Sequence, residues 1–309
     1  MLRDTYGTAP RRHRRLFAVG AALACLVAAV SAHLAGDAER SIAVPREVRE
    51  LKVATWNMCG VRQWGCGATG SSGRKVRELT LLATADGARV ILLQETCSGD
   101  LDAARRELGS AWHSTFRAYV SVDGAGKRRT VRCAVPEQGS AGYGIMAAFP
   151  LSRVTPVRSH QPATGLQRGI VCATVAAHGI RVCNAHLSLP GGDRAHPDRE
   201  YRDDQLTALV RAAAGPRTVF GGDLNIGPPS FRNPDSRLWP HELHRRYREC
   251  DQSSAATRGA TPTHRSGHKV DHLFTGLPRN GCSVRDTGAS DHRALILSVR
   301  TGRAPAAGA

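Results

Sequence analysis

The sequence predicts an α/β domain built on packed β-sheets with few helices, rather than on a single parallel sheet. Short apolar runs of the kind that form strands recur nine times between residues 51 and 299. Apolar residues at helical spacing recur only three times in the same segment. No change in composition between residues 51 and 300 marks a domain boundary, so we expect a single domain.

Each predicted element follows a local pattern. Nine runs rich in β-branched and aromatic residues predict strands at Leu51–Trp56, Arg89–Leu93, Phe116–Val122, Tyr143–Phe149, Ile170–Val175, Ile180–Ala185, Thr218–Gly221, Val270–Phe274 and Ala294–Val299. Helical periodicity predicts helices at Arg74–Ala85, Leu101–Leu108 and Tyr201–Ala213.

Residues 1–32 are expected to form an export signal. Basic residues from Arg11 to Arg15 precede the mostly apolar run Leu16–Val30, and small residues at Val30 and Ala32 offer a cleavage site. Because a membrane-spanning helix needs about 20 apolar residues, we expect secretion without a stable span, with a retained membrane anchor as the alternative. Residues 33–50 are expected to be a linker, 51–301 the folded domain, and 302–309 a disordered tail.

The cysteines support an extracellular location. Eight remain once Cys25 of the leader is set aside, and an even count in an exported chain indicates disulfides. Residues 169–175 and 180–186 are predicted to form a hairpin in which Cys172 lies opposite Cys183, close enough to bridge. Cys59 and Cys66 flank a short loop and are expected to pair. Four cysteines then remain, and of their three possible pairings we expect Cys97 with Cys133 and Cys250 with Cys282.

Polar residues recur at the ends of the predicted strands. An apolar strand that stops at Asn, Glu, Asp or His presents a functional group from a rigid element. Each such residue alone is as readily a turn or cap residue, but six in one domain indicate a functional site. The segments are Thr55-Trp56-Asn57, Gln94-Glu95-Thr96, Asn184-Ala185-His186, Gly222-Asp223-Leu224-Asn225, Val270-Asp271-His272 and Ser290-Asp291-His292.

In this order the six segments resemble the signature of the endonuclease/exonuclease/phosphatase superfamily, of which deoxyribonuclease I is the familiar member. The resemblance covers about residues 51–300. It implies a four-layer sandwich, in which two packed, mainly antiparallel β-sheets are flanked by helices. It also implies a catalytic domain that hydrolyses phosphate esters with Mg²⁺, or with Mn²⁺ in its place, and Ca²⁺ as a further candidate.

The resemblance also implies roles for individual residues. Hard cations prefer oxygen ligands, and the metal would be held by Glu95 with Asn57 and Asp291 near it. Asp223 is similar to the residue that orients or deprotonates the attacking water. Asn225 would hold the scissile phosphate beside it, and Asn57 would also line the substrate site.

Two histidines are expected on opposite sides of that phosphate. His292 would donate to a phosphate oxygen, with Asp271 fixing its tautomer and favouring its charged form. His186 resembles the histidine that protonates or stabilises the leaving oxygen, and its alternative is a core histidine. The sequence leaves open which histidine is the general acid. Arg168 is expected to contact a substrate phosphate, with a solvated side chain as the alternative, and His272 is expected to face away from the site.

The charge balance favours a polyanionic partner. The chain carries 43 basic and 26 acidic residues, a formal net charge of +17, and only four of the basic residues are Lys. Nucleic acid is therefore the expected substrate, although Arg richness alone could reflect codon composition. The alternatives are a secreted phospholipid hydrolase resembling a sphingomyelinase, a small phosphate-ester hydrolase, and a non-catalytic nucleic-acid-binding module. A monomer without an obligate protein partner is expected.

Overall fold

The computed structural model describes residues 50–230, 233–253 and 261–302. The expected export signal at residues 1–32, nearly all of the expected linker and the tail from residue 303 lie outside these ranges. Those assignments remain predictions.

The secondary structure of the described residues is mostly β. In chain order the strands are β1 Glu50–Asn57, β2 Val90–Cys97, β3 His113–Ala118, β4 Val120–Val122, β5 Arg128–Thr130, β6 Ala141–Ala147, β7 Leu151–Val157, β8 Gly165–Gln167, β9 Gly169–Val175, β10 Ile180–His186, β11 Thr218–Asp223, β12 Arg248–Glu249, β13 Asp271–Thr275, β14 Arg279–Arg285 and β15 Ala294–Arg300. The helices are α1 Ser72–Thr84, α2 Ser98–Leu108, α3 Arg202–Ala212 and the short α4 Leu243–Arg246.

Two six-stranded sheets form the centre of the domain. The first has the order β14-β15-β1-β2-β6-β3 and the second the order β12-β13-β11-β10-β9-β7. Most neighbours are antiparallel, and the parallel pairs are β1 with β2 and β10 with β11. A third, three-stranded sheet of order β5-β4-β8 completes the described strands.

Apolar residues alternate along the strands and divide the core into layers. Between the sheets, a buried cluster joins Val53 and Leu92 of the first sheet to Val182 of the second. Residues on the opposite face of the first sheet pack with Leu79 of α1 and other helical residues. The far face of the second sheet packs with Leu206 of α3 and its neighbours. The result is the expected sandwich of helices, two sheets and helices.

All four expected disulfides are present. They join Cys59 to Cys66, Cys97 to Cys133, Cys172 to Cys183 and Cys250 to Cys282. The predicted hairpin register is confirmed, because Cys172 is the direct partner of Cys183 between β9 and β10.

The predicted elements lie within a few residues of the observed ones, with one long strand divided. The run predicted as Phe116–Val122 forms the end of β3 and the whole of β4, which belong to different sheets. The edge strands β7 and β14 were not expected. Their residues are mostly half-exposed or exposed, and β7 contains Pro156, so neither shows the apolar pattern of a central strand.

Candidate active site

The six polar segments meet because their strands end at the same edge of the two sheets. Asn57 closes β1 and Glu95 lies near the end of the parallel strand β2. Since β15 runs antiparallel to β1, the residues just before Ala294 return to this same edge. The first sheet therefore contributes Asn57, Glu95 and His292 from segments far apart in the chain.

The second sheet contributes three residues in one row. His186 is the register partner of Asp223 between β10 and β11, and Asp223 is the partner of Asp271 between β11 and β13. Two glycines make this close pairing possible. A Cβ at Gly221 or Gly222 would meet a neighbouring backbone oxygen at 1.8 or 1.9 Å, and both residues have positive φ values.

The Asp223 carboxylate lies at the centre of the site and is almost fully buried. Its Oδ2 atom accepts a hydrogen bond from Asn57 Nδ2 at 3.0 Å and lies 3.3 Å from His186 Nε2 and 3.9 Å from His292 Nε2. Burial by itself would raise the pKa of Asp223, but the contact with His186 and the charge of His292 hold it well below its usual range. Asp223 is therefore a permanently ionised carboxylate at neutral pH.

His292 forms a buried ion pair with Asp271. Its Nδ1 atom is 2.8 Å from Asp271 Oδ2, and its Nε2 atom faces Asp223. Burial opposes the charged ring, but the carboxylates of Asp271 and Asp223 outweigh it and raise the pKa of His292 to about 10. His292 is thus an imidazolium with its Nε2–H group directed into the site.

His186 has a different partner. Its Nδ1 atom is 2.6 Å from the hydroxyl oxygen of Tyr119, and both side chains are buried. Burial, helped by the positive charge of Arg168, lowers the pKa of His186 to about 4. This ring is therefore neutral, in contrast to His292, although its Nε2 atom faces the same Asp223 carboxylate.

Asn225 is held in a left-handed backbone conformation, with φ of 52°. Its backbone N–H donates to Asp223 Oδ1 at 3.1 Å, and its side-chain nitrogen donates to Leu187 O. Arg202 of α3 donates to the Asn225 carbonyl at 2.6 Å and is itself paired with Glu200 and Asp235. The position of Asn225 is therefore fixed from behind by a buried guanidinium group.

Glu95 is the strongest candidate for a metal ligand. It has a positive φ of 47°, where the pairing of β2 with β6 shifts register between Leu93 and Thr96. Burial raises the pKa of its carboxyl group, against the influence of Arg168 and Asn57. Within the described ranges Glu95 forms no salt bridge. A half-buried carboxylate that forms no salt bridge fits a divalent cation.

Asp291 and Asn57 are the other expected ligands. Asp291 lies with His264 and His292 in a group whose ligand atoms are within 4.8 Å of one another. Burial opposes ionisation, but the hydrogen bond with His264 and the charge of His292 lower the pKa of Asp291 to about 2. Asn57 already accepts from the Cys59 N–H and donates to Asp223, so it also braces the strand end. Cys59 and Cys66 lie beside Glu95, but their disulfide leaves no thiolate for a metal.

Arg168 lies beside this cluster, directly after β8. It donates to Leu187 O at 3.3 Å, and its Nε atom is buried without a hydrogen-bond partner among the described residues. His272 faces away from the site as expected: its Nε2 atom is 2.9 Å from Ile226 O and its ring packs against Trp239.

Three residues at the site were not anticipated. Tyr119 contacts His186, His264 packs against His292 with ring centroids 4.7 Å apart, and Lys75 donates from the core to the Met58 and Ala289 carbonyls. None is attached to a polar strand-end motif. No local signal in the sequence distinguishes them, because the contacts that place them at the site are with residues 17 to 214 positions away.

Comparison with known proteins gives one family match. A model of the Endonuclease/Exonuclease/phosphatase family matches residues 54–292. A sequence comparison with curated proteins finds no match.

Solved structures share the fold at low sequence identity. An endonuclease/exonuclease/phosphatase from Beutenbergia cavernae DSM 12333 is 22% identical with a TM-score of 0.58, over 84% of this chain and 73% of that chain. The human Nocturnin catalytic domain with bound sulfate is 15% identical with a TM-score of 0.57, over 81% and 93%. An AP endonuclease from Archaeoglobus fulgidus is 16% identical with a TM-score of 0.52, over 80% and 98%.

Proposed function

The chain belongs to the Endonuclease/Exonuclease/phosphatase family, whose members are phosphoric ester hydrolases, and from this premise we propose that it is a secreted, divalent-metal-dependent nuclease that cleaves within DNA or RNA. The observation that carries this proposal is the convergence of His186, His292 and Asn57 on one ionised carboxylate oxygen of Asp223.

The arrangement supports hydrolysis by a water molecule held at Asp223. A carboxylate with a strongly lowered pKa is a weak base, so Asp223 would chiefly orient the water by accepting its hydrogen bond. Asn57 and Asn225 fix that carboxylate from two directions. The role of Asp223 is therefore to position the nucleophile in line with the phosphorus atom.

His292 would stabilise the charge that develops on the phosphoryl oxygens. Its Nε2–H is a charged donor that Asp271 holds in one orientation. Charge-assisted hydrogen bonds to an anion are about twice as strong as neutral ones. Arg168, with one donor group unpartnered within the described ranges, would contact a second phosphate oxygen.

Glu95, with Asn57 and Asp291 near it, would hold the divalent ion, for which Mg²⁺ or Mn²⁺ is the first choice. When bound, that ion neutralises phosphoryl oxygens and stabilises the departing alkoxide. The Glu95 carboxylate is half-buried and forms no salt bridge with a described residue, which supports such a site, because loss of solvent disfavours its charge unless a cation compensates it.

Nucleic acid is the substrate class that the charge supports. The formal net charge is +17, and it is +13 once the expected export signal, with its five Arg and one Asp, is set aside. The three-stranded sheet connects directly to the site, with Tyr119 just before β4 and Arg168 just after β8. Its edge strand β5 presents Arg128 and Arg129 as exposed side chains. Exposed arginines next to a phosphodiesterase site suit a polynucleotide backbone.

A phospholipid substrate has less support. Trp64, the aromatic residue of the Cys59–Cys66 loop, packs against Tyr119 with ring centroids 5.6 Å apart. Among the described residues, the exposed large apolar side chains are Val135, Val154 and Leu189. Entry into a bilayer surface normally uses a contiguous apolar or aromatic face. Hydrolysis of sphingomyelin is therefore the measurement that tests this alternative.

Secretion is supported by the four disulfides, which persist in oxidising compartments. In the ranges that the structure covers, no helix has the length and apolarity to cross a bilayer.

The proposal is tested by incubating supercoiled plasmid with the purified protein in Mg²⁺, Mn²⁺ or EDTA. We expect nicking and linearisation with a metal ion and none with EDTA. Asp223→Asn should lower the rate by at least about a hundredfold because the water is no longer oriented. Asp102→Asn, an exposed carboxylate on α2, is the matched control and should retain full activity.

Two outcomes would contradict the proposal. Full activity of Asp223→Asn would reject the site assignment. Absence of plasmid and RNA cleavage with every metal, together with hydrolysis of sphingomyelin or inositol phosphates, would reject the nuclease and favour a phospholipid or small-ester hydrolase.

A further inference from the structure

We propose that Tyr119 is a positioning residue that locks His186 as a neutral imidazole with its proton on Nε2, so that His186 serves as an uncharged hydrogen-bond donor at the reacting phosphate. The role of His186 at a phosphate rests on the proposed function, but the tautomer itself is a property of the free protein. The two histidines of the site then have different roles.

Tyr119 lies between β3 and β4, with no exposed surface. Its hydroxyl oxygen makes two contacts: 2.6 Å to His186 Nδ1, and 3.1 Å to the backbone nitrogen of Glu95. The Glu95 N–H is free for this contact because the β2–β6 ladder shifts register there. The hydroxyl therefore bridges a metal-ligand candidate and a histidine.

The hydrogen count at this oxygen fixes the direction of the bond to His186. The backbone N–H of Glu95 can only donate, so the tyrosine oxygen is its acceptor. The phenol has one hydrogen to give, and within the described residues its remaining contact is His186 Nδ1. If Nδ1 carried a proton, the buried hydroxyl would be left without an acceptor, which typically costs about 1–3 kcal/mol. Nδ1 is therefore the acceptor.

An unprotonated Nδ1 means that a neutral His186 carries its hydrogen on Nε2. This Nε2 atom is buried and lies 3.3 Å from Asp223 Oδ2 without the alignment of a full hydrogen bond. A buried donor that lacks a good partner in the free protein is available to a ligand oxygen. This Nε2–H group lies next to the Asp223 carboxylate, where the attacking water and the phosphate are proposed to bind.

The partner of each ring explains the contrast with His292. Asp271 is a carboxylate that accepts a hydrogen bond from the Nδ1–H group of His292 and stabilises the charged ring. Tyr119 is a neutral group that donates a hydrogen bond to Nδ1 and offers no charge to compensate a cation. This agrees with the pKa of His186, which burial and the charge of Arg168 lower to about 4. His292 is then the charged clamp, and His186 stabilises the leaving oxygen by hydrogen bonding without being an imidazolium acid.

The tautomer is measured directly by two-bond ¹H–¹⁵N correlation spectra of the imidazole rings in the metal-free protein, with His186→Gln used to assign the signals. We expect His186 to show an unprotonated Nδ1 and a protonated Nε2 throughout the neutral pH range. A protonated Nδ1, alone or with Nε2, would overturn the proposal. The spectrum requires no activity, so its result is independent of the substrate.

Tyr119→Phe removes the hydrogen-bond donor to Nδ1, so His186 should become a mixture of the two neutral tautomers. We expect kcat to fall about tenfold with little change in KM. Tyr247→Phe is the matched control, since Tyr247 is a buried tyrosine whose hydroxyl makes no hydrogen bond to any described residue. Equal tautomer populations in wild type and Tyr119→Phe would contradict the positioning role. If Tyr119→Phe does not fold, the wild-type spectrum still decides the tautomer.

If the protein proves inactive on plasmid while His186 has the expected tautomer, the proposed function fails and this inference stands. If plasmid is cleaved but Nδ1 is protonated, only this inference fails.

Discussion

The charge of each histidine in this site depends on the side chain that contacts its Nδ1 atom. Asp271 makes His292 a cation, whereas Tyr119 leaves His186 neutral, although both rings face the same carboxylate of Asp223. Paired titratable groups whose surroundings separate their pKa values are typical of sites that need both a charged and a neutral donor.

The ion pair of His292 predicts a pH effect. The pKa of His292 is raised in the folded protein from 6.5 to about 10, so the imidazolium is present throughout neutral pH and is lost as pH rises through about 10. Asp271→Asn removes the carboxylate that raises this pKa, and the alkaline fall in kcat/KM should move to lower pH. The stability that this pair contributes is fully present below the unfolded pKa and disappears as pH rises from there through the folded value.

The measurement is the pH profile of plasmid cleavage for wild type and Asp271→Asn, with Asp102→Asn as control. Superimposable alkaline limbs would mean that His292 is not the group whose charge matters.

At the scale of elements, disulfides tie the loops around the site to strands. One joins the end of β2, beside Glu95, to Cys133 in the loop after β5, and another closes the loop from Cys59 to Cys66. Both hold segments without strands or α-helices close to the expected metal ligand.

Removing these two bridges should have unequal effects. The Cys97–Cys133 bridge spans 36 positions and the Cys59–Cys66 bridge spans 7. Chain-entropy reasoning gives losses of about 4 and about 2 kcal/mol in the free energy of unfolding for the two double Cys→Ala variants. Thermal or urea unfolding monitored by circular dichroism measures the difference. A larger loss for the short loop would show that local packing, rather than loop closure, determines the effect.

At the scale of the whole molecule, the site lies where the ends of two packed sheets meet. The first sheet supplies Asn57, Glu95 and His292, and the second supplies His186, Asp223 and Asp271. Placing these groups on two rigid sheets fixes their distances better than loops would. The positive charge of the molecule and the small sheet beside the site would then direct a polyanion toward it.

A polynucleotide substrate predicts a strong salt dependence. The logarithm of kcat/KM on DNA or RNA should fall linearly with the logarithm of salt concentration, because binding releases counterions. Arg128 and Arg129 of β5 are expected to pair with backbone phosphates. Replacing both by Gln should make the slope shallower by about 1 for every phosphate that these arginines neutralise in the wild type.

The control is Arg106→Gln, an exposed arginine on α2, and the measurement is a salt titration of cleavage rate for all three proteins. Identical slopes for wild type and the β5 variant would remove β5 from the proposed nucleic-acid surface without affecting the catalytic site.

Much of this molecule could be predicted from local patterns. The central strands, the three longer helices and the Cys172–Cys183 pair follow from apolar periodicity and hairpin register, which are properties of short stretches of chain. The edge strands β7 and β14 were not predicted, because a strand with one neighbour and little burial does not need an apolar pattern.

The sequence by itself determined the residue types that the site requires and the rigid strand ends that carry them, because both are contained in contiguous motifs. Only the tertiary structure decided which side chain contacts the Nδ1 atom of each histidine. Tyr119 and His186 are 67 positions apart, and no motif links them. Protonation depends on burial and on the nearest charge or hydrogen-bonding group, and both arise only when distant strands pack together.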